Sequence, residues 1–423
     1  MKITIHRGSN QIGGCVTEIS HEGYKLFIDL GEQLPGTHNT EKGLAVEGLT
    51  QGNTDKSALL ITHYHADHIG ELLKAQPDVP VYMGKTAWEI YQCYESKLTR
   101  VPEPTVANKH KHMLERISEV KTFVAGQPFC WGSMTVTPLM VDHSAFDAYM
   151  FVIEAGGVRL LYTGDFRGHG FRSKALPKLM AKYAQGIDYI ISEGTNVYRA
   201  VENESEQSLQ RRFTEEFRQC KYNFVFTSST NIDRIFSLYH AAQQAGRLFV
   251  CDHFQYQLME IVAKSHENYT TFYQIREKNI YVVRRRKNGV FFIPDRLLDW
   301  MKQKGFCMPM RDNSYFWNVV AQFDGDSDQA VYYSLWKGYV EADSQAYNEK
   351  LAHALARYPD YKYMHTSGHC DIRTLEALFR QVKPRKGIIP IHTEHPERFK
   401  TLFGEIAPVI LLQDGGCLEC AKI

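Results

Sequence analysis

The feature that most constrains this chain is a run of metal-binding side chains from Thr62 to His68, which reads Thr-His-Tyr-His-Ala-Asp-His. It directly follows an apolar segment, residues 58–61. Imidazole nitrogens and carboxylate oxygens are ligands for zinc, manganese or iron, and a loop leaving a buried strand can turn alternate side chains towards either side of a metal pair. The run therefore predicts a two-metal hydrolytic site. The alternative is a solvent-exposed polar loop that is rich in histidine.

Single acidic or histidine residues follow four further strand-like runs, at Asp29, His143, Asp165 and His392. Side chains at strand ends are held on a rigid sheet, so residues that are distant in sequence can meet at one rim. Taken alone, each has an ordinary interpretation: His143 as a rim histidine, Asp165 as a turn residue and His392 as a surface residue. The central run favours the interpretation that they complete a metal site.

These five motifs, in this order, resemble those of the metallo-β-lactamase superfamily. The resemblance implies two divalent ions, with Zn²⁺ favoured and Mn²⁺ as the alternative, which would activate a shared water. It also implies that Asp29 orients a ligand and the nucleophilic water through hydrogen bonds. Asp67 is predicted to be catalytic as well as a ligand. The implied ligand sets are His63, His65 and His143 for one metal and Asp67, His68 and His392 for the other, with Asp165 bridging.

More than 200 residues separate Asp165 from His392, which predicts a second domain between them. From about residue 201 the pattern alternates between helix and short strand, with helices expected over 206–220 and 232–245 and strands over 223–226 and 248–251. Such alternation predicts a parallel sheet. The alternation predicts an α/β fold class, and the resemblance implies a metallo-β-lactamase αββα sandwich, residues 1–200 and 361–423, with an inserted β-CASP domain at 201–360 that contains a mainly parallel sheet.

Two motifs in that interval are similar to those of the β-CASP nucleases. The strand-like run from Tyr189 ends at Glu193, and His369 precedes a predicted helix over 372–382. The Ser-Gly-His form at residues 367–369 is most similar to the ribonuclease J branch. The resemblance implies that His369 protonates the leaving oxygen, and that Glu193 bonds to His369 and raises its pKa.

Five residues are candidates for substrate binding. In ribonuclease J-like proteins the segment that corresponds to Ser229, Thr230 and Asn231 faces the nucleic-acid backbone, and hydroxyls at a helix start suit a phosphate. Together with Ser367 and Gly368, this loop suggests a pocket for a 5′-phosphate. The alternative is an ordinary helix N-cap at Thr230 or Asn231.

Two departures from the ribonuclease J pattern stand out. The third motif reads His392-Thr393-Glu394, where that branch usually has His-Gly-Glu, so the backbone freedom of glycine is missing beside a predicted ligand. The sequence given ends at Ile423, and it is expected to be a short form without the C-terminal dimerising domain.

The sequence thus predicts a metal-dependent ribonuclease that hydrolyses phosphodiester bonds of single-stranded RNA. A 5′-to-3′ exonuclease mode is favoured, and an endonuclease mode is open. Three alternatives remain: a DNA-directed β-CASP nuclease, a small-molecule hydrolase such as a lactonase or thiolesterase, and a non-catalytic subunit of an RNA-processing complex.

Composition adds expectations about partners and compartment. The net charge of +1 argues against a diffuse polyanion-binding surface, so RNA would need a local basic groove, with residues 284–287 (Arg-Arg-Arg-Lys) as the main candidate. No apolar stretch approaches a membrane span and no signal peptide is recognised. We expect a cytoplasmic protein with reduced cysteines, without membrane contact; a homodimer is one assembly open to it.

Overall fold

The computed structural model describes residues 1–35, 44–266, 270–276, 279–283 and 293–420. Its internal contacts divide the chain into two compact units. Unit 1 contains Met1–Asn203 and Gly368–Ile423, and unit 2 contains Glu204–Ser367. The insertion predicted from sequence, 201–360, differs from unit 2 by a few residues at each end. Strands and helices are numbered below in chain order.

Unit 1 contains strands from both ends of the chain and six helices in the part that the structure describes. The strands are β1 (Lys2–Arg7), β2 (Val16–His21), β3 (Tyr24–Ile28), β4 (Ser57–Leu60), β5 (Val81–Gly84), β6 (Lys121–Phe123), β7 (Phe129–Trp131), β8 (Met134–Val141), β9 (Ala148–Ala155), β10 (Val158–Tyr162), β11 (Tyr189–Glu193), β18 (Gly387–Ile391) and β19 (Gly416–Glu419). The helices are α1 (Ala66–Ile69), α2 (Lys85–Leu98), α3 (Pro104–Arg116), α4 (Leu176–Tyr183), α11 (Ile372–Val382) and α12 (Arg398–Phe403).

The described strands of unit 1 form two sheets. One has the order β19-β1-β2-β3-β4-β5-β6 and the other the order β18-β11-β10-β9-β8-β7. Ile5 and Leu60 of the first sheet share one buried cluster with Phe151 and Ile191 of the second, so the two sheets pack face to face. All of β9 except Glu154 is buried, as expected for a strand covered on both faces.

Helices complete the outer layers of unit 1. Met180 of α4, Leu378 of α11 and Phe403 of α12 pack with Met150 on the far side of the second sheet. On the first sheet, α2 contacts β5 and α3. The layers therefore follow the order helix, sheet, sheet, helix, and the predicted αββα sandwich is confirmed.

Helix α11 shows how local sequence sets these boundaries. The Asp371 carboxylate caps its start by accepting a hydrogen bond of 2.9 Å from the Thr374 amide, and Lys383 ends it in a left-handed conformation with φ of 50°. The apolar residues of the helix repeat at spacings of three and four, which turns one face towards the core. The buried residues are Leu375, Leu378, Phe379 and Val382.

Unit 2 alternates helices with strands. Its described elements are α5 (Glu206–Gln219), β12 (Tyr222–Phe226), α6 (Ile232–Gln244), β13 (Leu248–Asp252), α7 (His253–Ala263), β14 (Ile280–Val283), α8 (Asp295–Lys304), β15 (Phe306–Met310), α9 (Ser314–Val320), β16 (Gln329–Tyr333), α10 (Glu349–Ala356) and β17 (Lys362–Tyr363).

The strands of unit 2 form one sheet with the order β14-β13-β15-β12-β16-β17. Every pairing between its described strands is parallel, as the alternation of helix and strand predicts. Phe224, Val250 and Met308 from three of these strands share a buried cluster with Met301 of α8 and Leu355 of α10.

Among the described residues, no helix combines the length and apolar character that crossing a bilayer requires.

Candidate metal centre

The predicted metal-binding residues of unit 1 follow strands that end at one edge of each sheet. β3 and β4 are parallel neighbours, and they lead to Asp29 and to His63. β10, β11 and β18 are also parallel neighbours, and they deliver Asp165, Glu193 and His392. Parallel strands share one carboxyl edge, so side chains that are far apart in sequence converge there.

Three histidines form the first group of donors. His143 follows β8, which runs in the direction of β10 because both are antiparallel to β9. Its Nε2 lies 3.2 Å from Nδ1 of His65, and the His63 ring centroid lies 4.7 Å from that of His65 and 4.6 Å from that of His143. One nitrogen from each ring lies within 4.8 Å of the others. Ligand atoms of a tetrahedral zinc ion are about 3.3 Å apart, so this group can close around a cation.

The second group combines carboxylates and imidazoles. Asp165 Oδ2 lies 3.1 Å from His68 Nε2 and 3.7 Å from His392 Nε2. Asp67 Oδ2 lies 3.3 Å from His392 Nε2. Asp165 Oδ2 also lies 3.9 Å from Nε2 of His63, in the first group. The carboxylate of Asp165 is therefore positioned between the two groups, as the predicted bridging role requires.

Asp29 holds one predicted ligand in place rather than joining either group. Its Oδ2 accepts a hydrogen bond of 2.8 Å from His68 Nδ1, and its Oδ1 accepts one of 2.8 Å from the Thr62 amide. The Thr62 hydroxyl donates to the same carboxylate and lies 3.1 Å from His63 Nδ1. Because Nδ1 is engaged on both rings, Nε2 faces the cluster, which is how metal-binding histidines are commonly oriented.

His143 is held by the backbone of Gly368. Its Nδ1 donates a hydrogen bond of 2.7 Å to the Gly368 carbonyl oxygen. A side chain at position 368 would not fit, because an added Cβ would lie 2.7 Å from Ser144 Oγ and 3.3 Å from His143 Cε1. Gly368, predicted to bind substrate, is thus in contact with a predicted ligand.

The histidines of the first group are suited to metal binding by their protonation. Burial lowers the pKa of His63 and of His143 well below the usual value, and lowers the pKa of His65 to about 4. Neighbouring imidazoles lower the pKa of His63 and His143 further. Near neutral pH these rings are uncharged and keep a lone pair for a metal.

The second group carries negative charge. Burial alone would raise the pKa of Asp67 and Asp165, but the imidazoles of His68 and His392 outweigh it and hold the pKa of both carboxyls below the usual value. Burial dominates at Asp29 and raises its pKa. At His68, burial is outweighed by the carboxylates of Asp165, Asp29 and Asp67, which raise the pKa.

Two buried atoms in this cluster have no hydrogen-bond partner among the described residues: His63 Nε2 and Asp165 Oδ1. A buried polar atom without a partner costs about 1–3 kcal/mol, and coordination to a cation would remove that cost. Together with neutral imidazoles and ionised carboxylates, these two atoms show that the residues fit divalent metal.

The Glu193–His369 pair adjoins the second group. Glu193 Oε2 accepts a hydrogen bond of 3.1 Å from His369 Nδ1, and its Oε1 accepts one of 3.0 Å from the Phe166 amide. His369 Nδ1 also lies 3.5 Å from Asp165 Oδ2. Burial alone would lower the pKa of His369, but the carboxylates of Glu193 and Asp165 raise it to about 9.

Two family models match this chain. Residues 43–204 match the beta-lactamase superfamily domain, and residues 359–403 match the Zn-dependent metallo-hydrolase RNA specificity domain. Curated relatives with similar sequences are named ribonuclease J. These matches support a ribonuclease J-like member of the β-CASP family within the metallo-β-lactamase superfamily.

Similarity to individual relatives is low in identity and varies in extent. Ribonuclease J of Mycobacterium tuberculosis is 26% identical over 260 residues, which cover 58% of this chain and 43% of the relative. Ribonuclease J of Helicobacter pylori is 21% identical over 440 residues, which cover 99% of this chain and 60% of the relative. Endoribonuclease ysh-1 of Neurospora crassa is 25% identical over 204 residues, 44% of this chain and 23% of that protein. The chain thus spans about half the length of the ribonucleases that it matches.

A similar fold is found in a solved structure. The crystal structure of a protein of unknown function from Enterococcus faecalis V583 superposes with a TM-score of 0.73, at 18% sequence identity and with 99% of both chains covered. At this identity the likeness shows the fold alone.

The remaining predicted substrate-binding residues lie in unit 2. Asn231 caps helix α6, since its side chain accepts a hydrogen bond of 3.2 Å from the Arg234 amide. Ser228 Oγ lies 2.9 Å from Thr230 Oγ1, and Ser229 Oγ accepts a hydrogen bond of 2.8 Å from Arg311 Nη1. The Arg311 guanidinium was not predicted here. Ser367 is the last residue of unit 2, and residues 284–287, the predicted basic groove, lie outside the described residues.

The third motif lacks the glycine that usually follows its histidine, and in this structure the histidine itself makes the turn. His392 itself adopts a left-handed backbone with φ of 51°, and Asp29 does so with φ of 62°. Each follows the last residue of a strand, β18 or β3, so the chain turns sharply at the residue that carries the functional side chain. Thr393 is buried and does not take the left-handed conformation.

Sequence reasoning assigned no role to Thr195, two residues after Glu193. Its hydroxyl lies 2.8 Å from His392 Nδ1 and 3.2 Å from His369 Nδ1. The motif around Glu193 contained this threonine, but the pairing of β11 with β18 that brings His392 beside it is a tertiary feature.

Proposed function

We propose that this protein is a two-metal ribonuclease that hydrolyses phosphodiester bonds of single-stranded RNA, with 5′-to-3′ exonuclease action as the main mode. The observation that carries the proposal is the position of His369, 3.5 Å from the carboxylate that lies between the two donor groups. A proton donor beside a site for hydrolytic water is the minimum that phosphodiester hydrolysis requires.

Two divalent cations, most simply Zn²⁺ with Mn²⁺ as the alternative, would lower the pKa of a shared water and neutralise charge on a phosphodiester. The chain's own residues do the rest. The Glu193 carboxylate fixes His369 through Nδ1 and leaves Nε2 to donate a proton to the leaving oxygen. Asp29 fixes His68, and the Gly368 carbonyl fixes His143, so these rings keep one orientation through the reaction.

RNA is the substrate class that the relatives' names support, since the curated matches include ribonuclease J and an endoribonuclease. A 5′-phosphate is proposed to bind in unit 2, at the loop of Ser229, Thr230 and Asn231. The start of α6, the loop hydroxyls and the Arg311 guanidinium are groups that suit a phosphate. A phosphate site of this kind would favour exonuclease action, because it would hold the 5′ end of the RNA.

The test is cleavage of end-labelled single-stranded RNA and DNA of one sequence, with zinc, with manganese or with a chelator, read at nucleotide resolution. We expect RNA cleavage that the chelator abolishes and that is faster on 5′-monophosphate than on 5′-triphosphate RNA. Equal rates with internal products would assign an endonuclease. Cleavage of DNA alone would assign the DNA-directed alternative.

His369→Ala separates catalysis from metal binding. We expect bound metal to stay at the wild-type level while the cleavage rate falls by about 10²–10⁴-fold, the usual contribution of general acid–base catalysis. The matched control is His395→Ala, because that ring is 43% exposed and has no proposed role. Near-normal cleavage by His369→Ala would remove the proposed proton donor.

Two further alternatives make different predictions in the same assays. A small-molecule hydrolase would bind metal and hydrolyse a lactone or thioester without cleaving RNA. A non-catalytic RNA-processing subunit would cleave neither under any metal condition.

A further inference from the structure

The Thr195 hydroxyl contacts both a predicted metal ligand and the predicted proton donor. It lies 2.8 Å from Nδ1 of His392 and 3.2 Å from Nδ1 of His369. The two rings lie close together, with centroids 5.4 Å apart and planes inclined by 30°. A single oxygen therefore adjoins two imidazoles with different proposed tasks.

The fold brings these groups together through one strand pairing. β11 and β18 are parallel, and Glu193 at the end of β11 is in register with Ile391 at the end of β18. His392 is the next residue, and Thr195 lies two residues beyond Glu193. The segments that follow the two strands lie close together, because an added Cβ at Gly194 would lie 2.4 Å from Phe399 and 3.2 Å from Thr393 Cβ.

The hydrogen-bonding capacity of the hydroxyl matches its surroundings. A threonine hydroxyl accepts two hydrogen bonds and donates one. It can accept from Nδ1–H of His392 and from Nδ1–H of His369, which also faces Glu193 Oε2 at 3.1 Å. Its own proton can go to the His392 carbonyl oxygen at 3.4 Å. In this arrangement Nε2 of His392 keeps its lone pair and faces Asp67 and Asp165.

We propose that Thr195 is a positioning residue that fixes the rings of His392 and His369 together, so that metal binding and proton donation depend on one hydroxyl. The proposal rests on the proposed function, which supplies the tasks of the two rings. Without the hydroxyl, the buried Nδ1–H of His392 loses its partner and the ring can turn away from the cluster. Loss of a hydrogen bond that orients a ligand commonly weakens metal affinity by about 10–100-fold.

The experiment compares Thr195→Val, which keeps the shape and removes the hydroxyl, with Thr195→Ser, which keeps the hydroxyl. Ser192→Ala is the matched control, since the Ser192 hydroxyl is buried on β11, three residues before Thr195, but lies 3.0 Å from a backbone carbonyl, that of Glu193. Zinc affinity of chelator-stripped protein is measured by competition with a chromophoric chelator, and bound zinc per chain by elemental analysis. Thermal unfolding of the metal-free proteins checks that each variant folds.

We expect Thr195→Val to bind one of its zinc ions about 10–100-fold more weakly, while Thr195→Ser and Ser192→Ala keep wild-type affinity. RNA cleavage at saturating zinc should also fall in Thr195→Val, because His369 loses a contact, and should recover in Thr195→Ser. If Thr195→Val does not fold, Thr195→Ala provides the same comparison.

Two results would separate the role of Thr195 from the proposed ribonuclease function. Wild-type zinc affinity in Thr195→Val or Thr195→Ala overturns the role of Thr195 and leaves the ribonuclease proposal standing. A wild-type protein that binds zinc with the expected dependence on Thr195 but cleaves no RNA overturns the proposed function and leaves the positioning of His392 intact.

Discussion

Each unit of this molecule buries a polar cluster, and the two clusters differ in how they are satisfied. In unit 2, Glu206 of α5 and Arg234 of α6 form a buried ion pair, with Arg234 Nη2 2.9 Å from Glu206 Oε1 and Nε 3.2 Å from Oε2. Arg234 also donates to Ser334 Oγ, which donates to the Met364 carbonyl oxygen. The charges of this cluster cancel within the chain.

The cluster of unit 1 is incomplete by comparison. His63 Nε2 and Asp165 Oδ1 are buried without a partner among the described residues, and carboxylates face one another across the site. Buried polar groups are favourable only when they are paired. The contrast indicates that the cluster of unit 2 stabilises the folded unit, whereas the cluster of unit 1 is arranged to bind a cation.

The largest expected difference between the clusters follows from Asp165→Asn. Loss of the carboxylate between the two donor groups should abolish RNA cleavage and stoichiometric zinc binding. Zinc at 100 times its dissociation constant should stabilise the wild type by about 2.7 kcal/mol and the variant hardly at all. Without metal the variant should lose some stability, because His68 loses the Asp165 carboxylate 3.1 Å from its Nε2, so the effect of zinc is read as the change that zinc causes in each protein. Denaturant unfolding with zinc and with a chelator measures the stabilisation, elemental analysis measures bound zinc, and the RNA assay measures cleavage. A variant that zinc stabilises as much as the wild type would contradict the comparison.

A second variant, Arg234→Ala, should have the opposite profile. It leaves the Glu206 carboxylate buried and unpaired, which typically costs about 3–5 kcal/mol, while zinc binding by unit 1 should persist. Hydrogen exchange of unit 2 amides measures the loss. The matched control is the double variant Arg234→Met with Glu206→Leu, which removes both charges and should recover most of the stability. A loss below about 1 kcal/mol in Arg234→Ala would show that the pair is not the structural counterpart of the metal site.

The smallest effect concerns Asn231, where capping and substrate binding are competing roles. Asn231→Ala removes the cap of α6 and should destabilise unit 2 by about 1 kcal/mol. Asn231→Asp keeps a capping carboxylate oxygen, so it should retain stability but repel a phosphate. Affinity for 5′-monophosphate RNA, measured with a catalytically inactive background such as His369→Ala, separates the two roles. Unchanged affinity in Asn231→Asp would leave Asn231 as a cap only.

Much of the fold could be predicted from sequence because apolar periodicity marks the ends of strands and helices. The helix predicted over 372–382 has those bounds in the structure, and the predicted strand over 223–226 lies within β12. For the same reason Asp29, Asp165 and His392 could be placed at strand ends. Their convergence required the resemblance to a known family, since sequence spacing does not reveal which strands are neighbours.

The contacts that could not be predicted from sequence depend on which strands and helices are neighbours in the fold. Thr195 meets His392 only because β11 lies beside β18, and Arg234 meets Glu206 only because α5 packs on α6. Arg212, for example, is a basic residue whose Nη1 lies 2.6 Å from Glu204 Oε2. Charge content does not show which cations are already paired.

The left-handed backbone at Asp29 and His392 affects how this site should be mutated. Such a conformation costs most residues about 1–3 kcal/mol, but asparagine, aspartate and histidine adopt it far more readily than others. Residue type at these positions therefore has to satisfy the chain path as well as the chemistry. Alanine scanning would mix the two demands and overstate the contribution of the side chain. Asparagine keeps the turn while removing the charge or the ring, so Asp29→Asn and His392→Asn are the substitutions from which a chemical effect can be read directly.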